Sequence, residues 1–311
     1  MILPAPAIGA GGPAPVSSPS SARLGLVLGI AVLAMSSSAV LVRLMDASPL
    51  VIAAWRMIGA CLLMSPFARR LPSLADTGRL AVAGALLALH FGTWFAAVQS
   101  TTILRAAVLV ALVPVWTGLA EWVTGRPPSG RFFLGVGLAL FGVAGLASGG
   151  GSASWTGDAL AIVAGLAYAA VLALTQGLRQ RLDAPTTTAW LCGWAAVSLI
   201  FSLVWTETSP VVNGSTGLAI VAAVLGPQLI GHQGVAWVVR WVPASRVSAA
   251  LLLEPVGSTV LAAVVLGEQP SASAAVAGIL IVGGVFWAAS PARHPGRDTP
   301  PPRRTDARRD G

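Results

Sequence analysis

The sequence predicts an all-α membrane protein of ten transmembrane helices, arranged as two inverted five-helix repeats. Composition is the first of three observations behind this. Of 311 residues, 55% are hydrophobic and 10% charged, against about 25% charged in soluble domains, and the mean hydropathy is +0.80. The second is a series of apolar runs near the roughly 20-residue length that spans a bilayer, at 24–44, 50–68, 80–98, 105–124, 132–149, 157–177, 187–205, 216–239, 245–266 and 273–290. The third is an internal duplication. Arg105 to Pro114 matches Arg246 to Pro255, with the same spacing from arginine to proline. His90-Phe-Gly92 matches His232-Gln-Gly234, and Gly125-Arg-Pro-Pro-Ser129 matches Gly267-Glu-Gln-Pro-Ser271, at an offset of 141 or 142 residues throughout.

Taken in order, residues 1–21 are Pro, Ala, Gly and Ser with little else and no charge, and read as a disordered lead. The first repeat is assigned to 22–150. Arg23 opens its first helix; Ser36-Ser-Ser38-Ala39 resembles a signal-cleavage site, but cleavage there would break the duplication, so the run is read as a spanning helix. Helix 2 follows Ser48-Pro49 and carries Arg56. Helix 3 carries His90 and Trp94 on one face. Helix 4 runs from Arg105 through Pro114 to Gly125, and helix 5 holds Gly135, Gly137 and Gly142, small residues suited to close helix packing. The second repeat is assigned to 155–290. Asp158 opens its first helix, where a carboxylate suits the positive end of the dipole. Gln228 and His232 share a face of helix 8, with Gln233 beside them. Helix 9 contains Glu254-Pro255 and ends at Gly267-Glu268; helix 10 contains Gly278, Gly283 and Gly284. Residues 291–311 form a Pro- and Arg-rich tail.

Charge sets the expected orientation. All 19 basic residues are arginines, and with the N-terminus inside, 16 of the 19 fall in the lead, the inner loops and the tail, as the positive-inside rule requires. Both termini are therefore expected on the cytoplasmic side of the inner cell membrane. Five helices per repeat is an odd number, so the halves must insert in opposite senses, an architecture of many secondary transporters. This reading absorbs the net charge of +8, leaving no reason to invoke nucleic acid.

Two five-helix repeats, each with a proline in its fourth helix, resemble the EamA-type branch of the drug/metabolite transporter superfamily. Residues Ala249 to Gly284, with Glu254-Pro255, Gly267-Glu268, Gly278 and Gly283-Gly284, match best. Arg56, Leu89-His90-Phe91 with Trp94, and Gly226-Pro227-Gln228 with Gly231-His232 add to the likeness, which covers about 24–290. The first repeat departs from it, with Gly125-Arg126 where the family often has Gly-Glu and Val113-Pro114 where repeat two has Glu-Pro. The resemblance implies carriage of amino acids, metabolites or drugs across the cytoplasmic membrane, commonly outward, through a cavity between the repeats and without ATP.

Polar groups at membrane depth are costly, an ionised one about 2.5–3.5 kcal/mol on insertion scales, and are functional candidates by default. Glu254 has two readings: a proton-coupling carboxylate, or a structural acid, bonded to a backbone carbonyl freed by Pro255 or paired with an arginine. His90, Trp94, Gln228, His232 and Gln233 are candidates for a substrate cavity, against interhelical bonds that only hold the bundle together. Pro114 and Pro255 are expected to break their helices. Arg56 is read as structural, snorkelling outward or paired with an acid such as Asp46. Arg105, Arg246, Gly267 and Glu268 are read as structural or anchoring residues, and Glu121 as a partner of Arg126 or Arg131. No metal site is expected from two histidines without further ligands, and no cofactor. No P-loop is present, nor any hydrolase or metalloprotease motif that would make the chain an intramembrane enzyme. A secondary active exporter of small molecules, with proton coupling as one mode, is the expected function. A non-transporting sensor or scaffold is the alternative, and a homodimer is left open.

Overall fold

The structure is a computed structural model that describes residues 19–100, 109–146, 154–266 and 272–289. Among these residues every regular element is helical. The rods are α1 (Ser21–Arg43), α2 (Pro49–Met64), α3 (Leu74–Ser100), α4 (described over Val113–Val123), α5 (Gly130–Leu146), α6 (Trp155–Leu178), α7 (Ala184–Trp205), α8 (Gly214–Val238), α9 (Ala244–Val265) and α10 (Ala272–Ala289). Seven of them, α1, α2 with its 3-10 extension, α3, α6, α7, α8 and α9, are long and apolar enough to cross a membrane. α5 and α10 are apolar but shorter, at Gly130–Gly145 and Ala275–Ala289. Arg105, Gly267 and Glu268 lie outside the described residues, as do the lead before residue 19 and the tail from 290.

The outer surface is apolar. Leu33, Leu62, Phe141, Phe201, Val264, Ile279 and Phe286 are exposed, while Arg56, His90, Gln228, Thr117 and Ser248 are buried. A lipid solvent produces this distribution: it accepts aliphatic surface without penalty and forces polar groups to find one another inside the bundle.

Helix partnering follows the duplication. α3 packs on α6, and α8 on α1; α3 also packs on α7, and α8 on α2; α4 packs on α6, and α9 on α1. Exchanging each helix of the first five with its counterpart in the second five converts each pairing into the other. The remaining major contacts join counterparts directly: α2 with α7, α4 with α9 and α5 with α10. These three pairs run antiparallel. Thr117 Oγ1 meets Ser248 Oγ at 2.7 Å while Glu121, a turn later in α4, accepts from Ser245, a turn earlier in α9. Along α5, Gly135 faces Gly284 and Gly142 faces Ala277.

The α5–α10 contact is backbone on backbone. A Cβ on Gly135 would lie 2.5 Å from Gly284 O and Ala288 N; one on Gly284 would lie 2.5 Å from Gly135 O and Ala139 N; one on Gly142 would lie 2.8 Å from Ala277 O. No side chain fits there, and the small residues let the axes approach as in other membrane helix pairs. The contact also obeys the repeat: Gly135 and Gly142 correspond to Ala277 and Gly284 at an offset of 142 residues.

α8 and α9 are not regular rods. Within α8, Val224–His232 is a π-helical stretch containing Pro227, and the Gln233 N–H reaches Gln228 O. A regular helix was expected over 216–239. Pro227 has no amide hydrogen to give to the carbonyl one turn back, and the wider register accommodates the missing bond. α9 is interrupted between Ala244–Leu251 and Glu254–Leu266. Likewise residues 109–110 are helical, 111–112 form a turn, and α4 resumes at Val113. In both, the helix restarts one residue before the proline, at a first-turn position that needs no amide donor.

The short connections at one end are stitched together. Asp76, in the first turn of α3, takes Arg181 at 2.8 Å and Arg79 at 3.3 Å. Arg179 Nε donates to Ala236 O at 2.8 Å, and Gln180 Nε2 to Arg240 O at 2.8 Å. Burial lowers the Arg179 guanidinium to about 10, which leaves it charged at neutral pH. Glu121 does not pair with Arg126 or Arg131 among the described residues. It accepts from Ser245 N at 3.0 Å and Ser245 Oγ at 2.6 Å, capping the first turn of α9. Arg246 sits in the same turn and is exposed.

The glycine contact is directly testable. Gly135→Leu or Gly284→Leu is expected to destabilise the fold by at least the about 1–3 kcal/mol typical of overpacking, read as a lower melting temperature in detergent. Gly137→Leu and Gly283→Leu, where a Cβ meets nothing within 4 Å, are expected to melt like wild type.

Candidate functional site

The polar interior is built where α1, α2, α3, α6 and α8 converge. Arg56 comes from the inward face of α2, is 1% exposed, and places its guanidinium between three helices. Nη1 donates to Ser38 Oγ of α1 at 3.4 Å and Nη2 to Gln228 Oε1 of α8 at 3.3 Å. The guanidinium carbon lies 4.9 Å from the centre of the Phe91 ring of α3, a cation–π distance. Nε is buried with no partner, and among the described residues no carboxylate pairs with the group. The expected pairing with Asp46 and the expected snorkelling outward are both replaced by this inward geometry. The Asp46 backbone N–H instead donates to Thr216 Oγ1 at 3.0 Å.

An aromatic cluster adjoins Arg56. His90 stacks on Tyr168 of α6 with centroids 4.7 Å apart and an interplanar angle of 28°. His232 meets Tyr168 edge-on at 5.6 Å and Phe91 edge-on at 5.8 Å. His90 Nδ1 lies 2.9 Å from Ala164 O. A carbonyl can only accept, so Nδ1 carries the hydrogen and Nε2 of the neutral ring is an acceptor. His232 Nδ1 lies 3.1 Å from Tyr168 Oη. The two duplicated histidines thus flank one tyrosine, which the sequence reading did not single out, although it is the chain's sole tyrosine.

The remaining candidates divide. Gln228 is 1% exposed and links Arg56 to Cys192, its Nε2 donating to Sγ at 3.7 Å. Gln233 points toward α7, where Thr188 Oγ1 donates to its Oε1. Trp94 is half-buried one turn beyond His90 and packs against Ala97 and Ala161 and against the main core. Glu254 restarts α9 and is half-buried; Ser36 Oγ donates to its backbone carbonyl at 3.2 Å, and its carboxylate has no partner among the described residues. Ser258, one turn on, donates to Ser36 O at 2.9 Å. Besides Tyr168, the residues missed were Ser36, Ser38, Cys192 and Thr188. Serine, threonine and cysteine are common in apolar helices as packing residues, so only a partner across the bundle distinguishes them. Among the described residues no group of His, Cys, Asp and Glu is arranged to hold a metal ion.

This arrangement offers a guanidinium, two imidazoles, a phenol and flat aromatic faces, and beside α1 a carboxylate with no counter-ion among the described residues. Groups of these kinds can bind by charge, hydrogen bonding and ring contact.

Comparison with known proteins agrees with the fold. A solved structure described as "Crystal structure of protein" aligns with a TM-score of 0.71 at 22% identity, covering 86% of this chain and 97% of that one, which shows a shared fold. No curated protein matches the chain. The family model for the EamA-like transporter family matches twice, over residues 23–148 and 155–290. The chain is a multi-pass membrane protein that belongs to the EamA-like transporter family.

Proposed function

We propose that this protein is a secondary active exporter of small amphipathic metabolites that carry a carboxylate or similar anionic group. It spans the cytoplasmic membrane ten times as two oppositely inserted five-helix repeats, over 22–150 and 155–290, with both termini inside. Support for opposite insertion comes from the antiparallel packing of α2 on α7, α4 on α9 and α5 on α10, because counterparts inserted in the same sense would pack parallel. Orientation rests on the arginine bias of the loops.

One observation carries the substrate reading: the Arg56 guanidinium, buried, held by two neutral oxygens, and paired with no acid among the described residues. Removing a charge from water is costly unless it is matched. A solute carboxylate supplies the match and finds a planar donor fork suited to it. Phe91, Tyr168 and the imidazoles then face the solute's apolar body, and His90 Nε2 accepts from a donor on it. Glu254 is the coupling group in this reading. It begins the second half of a broken helix, its carboxylate is uncommitted, and repeat one has Val113 at the matching position. Proton uptake and release there alternates with the exposure of the two faces.

Two experiments test this. Carboxylate metabolites are expected to raise the melting temperature of the purified protein, because a ligand of the folded state stabilises it, and their methyl esters are not. Arg56→Gln is expected to weaken that binding by thirty-fold or more, from the about 2–5 kcal/mol lost when one partner of a buried charge pair is removed. Stabilisation of Arg56→Gln by the same acids at wild-type concentrations would remove Arg56 from the site.

In proteoliposomes, Glu254→Gln is expected to abolish accumulation driven by a pH difference while leaving binding and substrate–substrate exchange largely intact. Accumulation against a gradient by the Gln variant, with only a pH difference supplied, would make Glu254 structural.

A further inference from the structure

Trp55 and Arg56 are consecutive on α2, about 100° apart around the helix axis, and serve different places. Arg56 enters the buried site. Trp55 is 41% exposed and borders a groove of about 430 Å3 between α2 and the C-terminal end of α7. Ile58, Ile200, Leu203 and Val204 form apolar wall, and Glu207 is the one ionisable residue of the lining. The Trp55 indole N–H donates to Pro210 O at 3.0 Å, tying the segment after α7 onto α2.

Glu207 is held at a backbone cost. α7 ends with the Glu207 N–H on Val204 O at 3.2 Å and the Thr208 N–H on Leu203 O at 3.0 Å. This termination puts its first residue past the cap in the left-handed region, where glycine is favoured. Glu207 has φ 50° and is the one non-glycine with positive φ among the described residues. α4 ends the same way, with the Arg126 N–H on Glu121 O at 2.8 Å, and there the position is Gly125, φ 77°. An outlier of this kind that persists points from strain to function. The strained residue carries the groove's only charge, and among the described residues no cation pairs with it.

We propose that this groove binds amphiphiles with a single positive head and an unbranched apolar tail. Glu207 and the Trp55 ring hold the head, as carboxylate and aromatic groups do for ammonium ions, and the tail lies along Ile58, Ile200 and Leu203. The volume falls in the range of about 300–1,000 Å3 usual for small-molecule sites. Zwitterionic and anionic lipids are poorly matched, since the lining has no cation for a phosphate and Glu207 repels it. The site is separate from the Arg56 site and does not rest on the transport reading.

The test uses the full chain in phosphatidylcholine nanodiscs, with empty discs subtracted, and three radiolabelled probes of equal tail: decyltrimethylammonium, decanoate and decanol. Equilibrium dialysis is expected to show saturable binding of decyltrimethylammonium at one per chain and none of the other two. Glu207→Gln is expected to weaken it ten-fold or more. Glu207→Gly is expected to do the same while melting, without ligand, at or above the wild-type temperature, because glycine relieves the left-handed backbone. Equal binding of all three probes, no saturable cation binding, or wild-type affinity in folded Glu207→Gln would each overturn the proposal.

Discussion

A guanidinium sealed inside a bundle of apolar helices is the constraint around which this molecule is arranged. Arg56 is almost fully buried, and the chain meets its needs with neutral groups from α1 and α8 and an aromatic face from α3. Each of those helices must present a particular face at one depth. Ser38 has to turn toward α2 from a rod that also presents Ser36 to α9. Gln228 has to project from a stretch of α8 that has given up regular helical spacing at Pro227. These supporting groups carry no charge, which is why the proposed function assigns the counter-charge of the guanidinium to a solute. A structural arginine would ordinarily be given an acid.

The duplication builds the frame, and departures from it build the site. Backbone contacts such as Gly135 on Gly284 and Gly142 on Ala277 are exchanged by the repeat offset, so close packing is symmetric. The buried polar groups are not. Glu254 faces the register of Val113, and Arg56 is matched by Ser198 at an offset of 142. His90 and His232 are true counterparts, yet one bonds a backbone carbonyl and the other the phenol of Tyr168, whose own counterpart is Leu26. In the proposed transport cycle, a twofold frame would let the two halves rock against each other with equivalent packing in either sense, while one cation and one acid would make the two directions chemically different.

Helix irregularity is concentrated beside this site. The π-helical stretch in α8 carries Gln228 and His232, and the interruption of α9 falls at Glu254. Irregular backbone at membrane depth is tolerated where protein or a polar cavity satisfies its freed groups. Ser36 shows how: its hydroxyl serves the Glu254 carbonyl, and its own carbonyl takes Ser258. A Cβ on Gly257 would clash with Ser36 Oγ and lie 2.8 Å from Ser36 Cβ, so glycine at this position allows the close approach of α1 and α9.

The sequence by itself determined the class, the repeat and the identities of the unusual groups. Hydropathy runs report spans because a bilayer demands about 20 apolar residues from each one, and a residue offset reports duplication whatever the fold. Arg56, His90, Gln228, His232 and Glu254 were legible because polar side chains are rare in such runs. The tertiary structure alone decided their partners. Arg56 has no sequence neighbour that marks its direction, and the Asp46 pairing suggested by proximity is replaced by oxygens 18 and 172 residues away. Glu121 looked toward nearby arginines but caps a helix 124 residues on. Gln233 adjoins His232 in sequence and serves a different face of its helix. The physical reason is that a membrane-spanning segment reports its hydrophobicity in every residue, whereas the face it turns inward depends on rotation about its axis. That rotation is fixed by contacts such as glycine on backbone, which only the packed bundle contains.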